Sequence, residues 1–275
     1  MNEAWKNVMY SGLVSVVWTL WLAVLLTNVG RLSAGLAAVC RRAPILDLIV
    51  AGATWIPWVV FGVTAEVWAE VPWWSGALGA LAGQIVGLQL WCWGHEFANR
   101  EKVKGPRIVR YLNRRVGRFR NHAALWVTAL AYPIFWGIRF GEVAIYPWLV
   151  WTVRLPRYRQ SEWVNVSRTK FDGLVGHDLI WCLYCDWMTG VYSLGAEMLR
   201  NVESFWCPIR FYDGKKCANC KVDFPDIDGG WVKADGTMGD VVATMQKHYD
   251  GGDHSWFGHP GRKVDLTLEG KPRER

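Results

Sequence analysis

Residues Tyr10 to Val29 read YSGLVSVVWTLWLAVLLTNV and contain no charged side chain. At 1.5 Å of rise per residue, about 20 residues of helix cross a hydrocarbon layer ~30 Å thick. The stretch therefore predicts a transmembrane helix. A cleaved signal peptide is the rival reading, but the apolar core is too long, Lys6 is the only base before it, and Gly30-Arg31 is a poor cleavage site.

Composition points the same way. Hydrophobic residues make up 52% of the chain, charged residues 20%, and there are 20 Trp. Indole settles where hydrocarbon meets water, its ring buried and its N–H wet, so a membrane protein uses Trp more freely than a soluble core does. The net charge of +7 is distributed beside apolar segments and matches no nucleic-acid-binding pattern, so no nucleic-acid partner is expected.

Two more apolar runs follow, Ile45 to Val67, interrupted by Pro57, and Ser75 to Trp93, rich in Gly and Ala that let helices approach closely. Within the third, Gln84 and Gln89 are expected to face other helices rather than lipid. Arg31, Arg41 and Arg42 follow the first run, Glu66 and Glu70 lie between the second and third, and the stretch Arg100 to Arg120 is densely basic. Basic loops stay on the cytoplasmic side, which puts the N-terminus outside and this loop inside. Arg107, Arg110, Arg114, Arg115, Arg118 and Arg120 alternate with Ile108, Val109, Leu112 and Val116 as in an amphipathic interfacial helix. That is either a solvated topology marker or a docking surface for anionic lipid head groups.

The segment Ala123 to Val153 is long for one span and short for two. A single crossing places the C-terminal half outside, and a hairpin places it in the cytoplasm. Arg154, Arg157, Arg159, Arg168 and Lys170 follow it and favour the cytoplasm. Arg139 and Glu142 share one helical face and can neutralise each other.

Beyond Pro156 turns, acids and glycine dominate, with helices expected at Leu174 to Asn201 and Met238 to Tyr249. Five of the seven cysteines concentrate here: Cys182 and Cys185 in one C-x2-C, Cys207, and Cys217 and Cys220 in another. Two such pairs resemble the arrangement that closes a tetrahedral thiolate site. Three readings stand: a metal site holding Zn or Fe, of Fe–S or rubredoxin type, with His177 as a substitute ligand and Asp186 behind it; a redox-active thiol pair; or buried, reduced cysteines. Asp178, Cys182 and Cys185 fall on one arc of their helix, with His177 to the side. His95-Glu96 lacks the second histidine of H-E-x-x-H, and His248, His254 and His259 form no recognisable motif. Nucleotide and serine-hydrolase signatures are absent from the sequence.

The expected architecture is an all-α membrane bundle of about four transmembrane helices with a C-terminal cysteine-rich, loop-rich polar module. Residues 1–155 form the membrane region with a basic loop at 97–122, residues 156–222 the cysteine module, and 223–275 a loop-rich tail. The expected role is an accessory or electron-transfer subunit of a membrane complex in a bacterial inner membrane, with the module in the cytoplasm. A membrane thiol–disulfide oxidoreductase, or an enzyme acting on lipid head groups, is the alternative.

Overall fold

The computed structural model describes residues 2–209, 231–233 and 235–249. Every element of more than one residue among them is helical; the β interactions are isolated bridges, such as Arg42 with Asn165. The chain divides into two compact units, one holding residues 2–130 and 160–188, the other residues 131–159 and the described part from 189 onward.

In the first unit, α1 (Glu3–Leu32) begins where the Asn2 side chain accepts the Ala4 N–H at 3.1 Å. Ser33 ends it in an extended conformation and caps α2 (Ala34–Cys40), accepting the Leu36 N–H at 3.2 Å. The burial of α1 is inverted relative to a soluble helix. Its buried residues are Ala4, Ser11, Ser15 and Val29, whereas Met9, Leu13, Val17 and Trp21 are each more than half exposed.

The small residues of α1 pack against α5 (Trp73–Ala98), whose buried positions are Ser75, Gly76, Gly79, Ala80, Gly83, Gln84, Gly87 and Cys92. The backbones approach so closely that glycine is required. A Cβ at Gly79 would lie 2.0 Å from Ser11 Oγ and 2.3 Å from the Val8 carbonyl oxygen, and one at Gly83 would lie 2.1 Å from the Gly12 carbonyl oxygen.

Between them run α3 (Ile45–Ala53) and α4 (Trp55–Val67), bent by 51°. The bend falls at Thr54 and not at Pro57, where the sequence places the interruption. Pro57 is the third residue of α4, in the first turn, whose N–H groups have no intrahelical partner to lose. The break frees the carbonyls of Ala53 and Thr54, and Gln84 of α5 satisfies both, its Nε2 donating at 3.1 and 2.8 Å. Trp58 Nε1 donates to Gln84 Oε1 in turn. The expectation that Gln84 turns inward is met.

The basic stretch folds as α6 (Arg100–Lys104), α7 (Ile108–Val116) and α8 (Arg118–Ala129), with Gly117 at φ +92° making the corner between the last two. Then come α11 (Gln160–Trp163), a 3-10 turn (Arg168–Lys170) and α12 (His177–Trp206), whose residues to Met188 belong to this unit. Trp187 anchors that portion through an Nε1 hydrogen bond to Asp47 of α3 at 3.1 Å, both groups buried.

The second unit starts with α9 (Tyr132–Phe140), a π-helical turn (Gly141–Ile145) and α10 (Tyr146–Val153). Arg139 and Glu142 pair there as their spacing predicts, at 2.6 Å and with 1% of each side chain exposed. Tyr158 donates to Glu197 at 3.3 Å and accepts from Asn201 Nδ2 on the later part of α12, and burial pushes its hydroxyl well above the usual phenol range. Helix α13 (Met238–Tyr249) begins where Thr237 and Asp240 cap each other.

Two stretches, α1 and Arg118–Val153, are long and apolar enough to cross a membrane; α3 with α4 adds a third if the bent pair is one span.

Candidate functional site

The first unit concentrates its buried polar groups where α5 ends and α12 begins. The first N–H groups of a helix have no backbone acceptor. In α12 they find side chains of α5: Gly176 N–H donates to His95 Nδ1 at 3.1 Å, and His177 N–H to Glu96 Oε1 at 3.3 Å. Gly176 is obligatory at this junction. Its φ is +52°, and a Cβ would lie 2.3 Å from Glu96 Cγ.

Arg107, the residue preceding α7, enters the same junction. Its Nε donates to Asp178 Oδ2 at 2.8 Å, and its Nη2 donates to Glu96 Oε1 and to the Val175 carbonyl, each at 2.9 Å. Burial alone would weaken the charge, but the hydrogen bonds that Arg107 donates to Glu96 and Asp178 outweigh it and hold Arg107 above its ordinary range. Asp178 Oδ1 accepts the Val109 N–H at 2.9 Å, so one carboxylate ties α7 to the first turn of α12. A negative charge there also suits the helix dipole.

His177 is held from both sides. Its Nδ1 lies 3.1 Å from Glu96 Oε1, and its Nε2 lies 2.9 Å from Gln89 Nε2. The Glu96 carboxylate beside Nδ1 and the Gln89 amide beside Nε2, whose oxygen lies 3.3 Å away, fix the orientation of the ring. The ring of His122 on α8 meets it edge-on at 5.7 Å.

Beside this network opens a cavity of about 320 Å³. Ile108, Val109 and Leu112 of α7, Asn121, Leu125 and Thr128 of α8, and the α12 face His177, Asp178, Trp181, Cys182, Tyr184, Cys185 and Met188 line it, with Arg168 at the side. Trp126 packs edge-on against Trp181 at 5.6 Å, and Tyr184 donates to the Thr128 carbonyl at 3.2 Å, which fixes α8 to α12 along the wall. Arg168 pairs with Asp186 at 3.2 Å, and its Nη1 lies 3.5 Å from the Cys182 carbonyl oxygen. Burial pushes the Cys182 thiol up, against the opposing pull of Arg168.

The structure thus brings Asp178, Cys182 and Cys185 to one wall, as the helical arc predicts, and His177, expected off to the side, lines the same cavity. Cys207 is exposed and belongs to the second unit, and Cys217 and Cys220 lie outside the described residues. Among the described residues no three His, Cys, Asp or Glu side chains converge as metal ligands. Asp186 accepts the backbone N–H groups of Ser167 and Arg168 at 2.8 and 2.9 Å.

Sequence reasoning missed Gln89, His95, Glu96 and Arg107 as one network. Arg107 reads as the first member of an exposed basic series, yet only 4% of its side chain is exposed and its charge faces two carboxylates rather than lipid. The available signal was His95-Glu96 at the end of an apolar helix, a costly position for ionisable groups without partners. No protein-family model, curated protein or solved structure matches the chain.

Proposed function

We propose that the chain is an integral membrane protein whose cavity between α7, α8 and α12 binds an amphiphile delivered from the bilayer. The observation that carries this reading is the cavity: apolar over most of its wall, with a few convergent polar groups at one side, as small-molecule sites are built.

Membrane insertion is supported by the inverted burial of α1, small residues inward and large apolar ones outward, which is costly in water and favourable in lipid. Three spans, α1, the bent pair α3 with α4, and α5, result if α5 crosses with α1 along their glycine contact; Arg118–Val153 then returns to the side it leaves, since the start of α12 packs against the end of α5 and against α7. The positive-inside rule puts α6 to α8 at the cytoplasmic face. There the exposed Tyr111, Val116 and Phe119 enter the interface while Arg114, Arg115, Arg118 and Arg120 meet anionic head groups. Arg107 stays out of that contact.

A photoreactive amphiphile carrying a diazirine on its chain tests the reading in the reconstituted full chain. Adducts on 108–128 and 177–188, suppressed when Leu125→Trp fills the cavity, are expected. Adducts spread over the outer face of α1 and unchanged by Leu125→Trp overturn it.

A Cys-ligated metal module is the second reading, favoured by Cys182 and Cys185 standing one turn apart on the open wall with His177 nearby. Its remaining ligands would be Cys217 and Cys220, with Cys207 in reserve. Metal analysis of anaerobically purified protein, repeated after Cys182→Ser and Cys217→Ser, tests it: stoichiometric zinc or iron lost in both supports it, and metal-free protein ends it.

A further inference from the structure

We infer that the cavity's ligand is a single-chain fatty carboxylate, its head group held by Arg168 and its chain laid between Leu125 and Trp181. This rests on the reading of the cavity as an amphiphile site and adds the ligand's charge, head group and size.

Charge comes from an asymmetry among the lining residues. Among the described residues Arg168 is the only Lys or Arg in the wall, and 42% of its side chain remains exposed. The one carboxylate of the wall among the described residues, Asp178, is paired with Arg107 and only 5% exposed, with both oxygens hydrogen-bonded. An anion entering the cavity therefore meets an accessible cation and no accessible carboxylate in the wall. Asp186 does accompany Arg168, but it also accepts the Ser167 and Arg168 N–H groups, so its charge is shared. The Asp186 ion pair and the Cys182 carbonyl, 3.5 Å from Nη1, engage only part of the five N–H donors of the guanidinium, so it can hold a second carboxylate as well.

Size comes from the volume. A cavity of about 320 Å³ accommodates one apolar chain of medium length. Trp181 and Leu125, on facing helices, supply the apolar contact.

Cys185 lines the cavity and reports occupancy without depending on an enzymatic assay. The full chain in nanodiscs of zwitterionic phospholipid is treated with N-ethylmaleimide, and modification of Cys185 is followed by peptide mapping, with the exposed Cys207 as control. Dodecanoate is expected to slow modification of Cys185 but not Cys207, at a half-protecting concentration about tenfold below that of dodecan-1-ol, the margin of one charge-assisted hydrogen bond. Arg168→Gln should erase that difference, and Arg168→Lys should retain part of it. If Arg168→Gln fails to fold, the chain-length series in the unaltered protein still decides: protection should rise to about twelve carbons and then level off.

Equal protection by the alcohol and the acid overturns the carboxylate assignment while leaving the amphiphile site standing. Stronger protection by a dodecanoyl lysophosphatidate than by dodecanoate also overturns it, in favour of a phosphate head group. No protection by any amphiphile ends both readings.

Discussion

Arg107 and Asp178, 71 residues apart in sequence, form an ion pair of 2.8 Å with 4% and 5% of their side chains exposed. Around this pair are gathered the end of α5, the start of α7 and the first turn of α12, and the cavity wall begins where Asp178 meets Val109. Removing one member of such a pair leaves an uncompensated buried charge.

Arg107→Met should therefore destabilise the chain by about 3–5 kcal/mol. Asp178→Asn should cost less, since Arg107 retains Glu96 at 2.9 Å. The double variant should lose less than the sum of the two, as coupled neighbours do. Thermal unfolding in nanodiscs, read by protease accessibility, measures all three; an Arg107→Met variant as stable as the parent would show the pair to be dispensable.

Gly79→Ala places a methyl group 2.0 Å from Ser11 Oγ and 2.3 Å from the Val8 carbonyl oxygen, so α1 and α5 must separate, at a cost of about 1–3 kcal/mol or more. Gly94→Ala, on the same helix with nothing within 4 Å of the new Cβ, should instead stabilise by up to ~1 kcal/mol through helix propensity. The opposite signs of one substitution at two sites check that the α1–α5 contact is as close as described.

Gln84→Leu removes the donor to the Ala53 and Thr54 carbonyls and the acceptor for Trp58. Each buried group left unpaired costs about 1–3 kcal/mol. Hydrogen exchange should report the loss locally, with α3 and α4 losing protection around residues 50–58 before α5 does. Uniform loss along α5 would contradict a role at the break.

The pH dependence of thiol alkylation follows from the Cys182 environment. Burial disfavours the thiolate, and Arg168 partly opposes this. A raised acid constant delays deprotonation, so alkylation of Cys182 should climb only at pH values above those at which an ordinary thiol reacts. Arg168→Gln removes the opposing charge and should move the profile further upward. A profile below that of a free thiol would contradict the burial and favour thiol–disulfide chemistry.

Several features were legible in the sequence because they are local. Tyr10 to Val29 declares a helix by length and composition, Arg139 and Glu142 meet because they are one turn apart, and Asp178, Cys182 and Cys185 share a face for the same reason. Pro57 misled because its place within a helix matters more than its identity: in the first turn of α4 it breaks nothing, and Thr54 carries the bend.

The sequence by itself determined the apolar helical runs, the richness of the third run in small residues and the clustering of base between α5 and α8, since composition and charge pattern are properties of neighbouring residues; that the small residues meet α1 is tertiary. Only the tertiary structure decided that Arg107 leaves the basic series for Glu96 and Asp178, that Glu96 holds His177 from 81 residues away, and that α7, α8 and α12 line an open cavity. Those pairings join positions far apart in the chain, and no local pattern tells a buried charge that has found its partners from an exposed one that needs none.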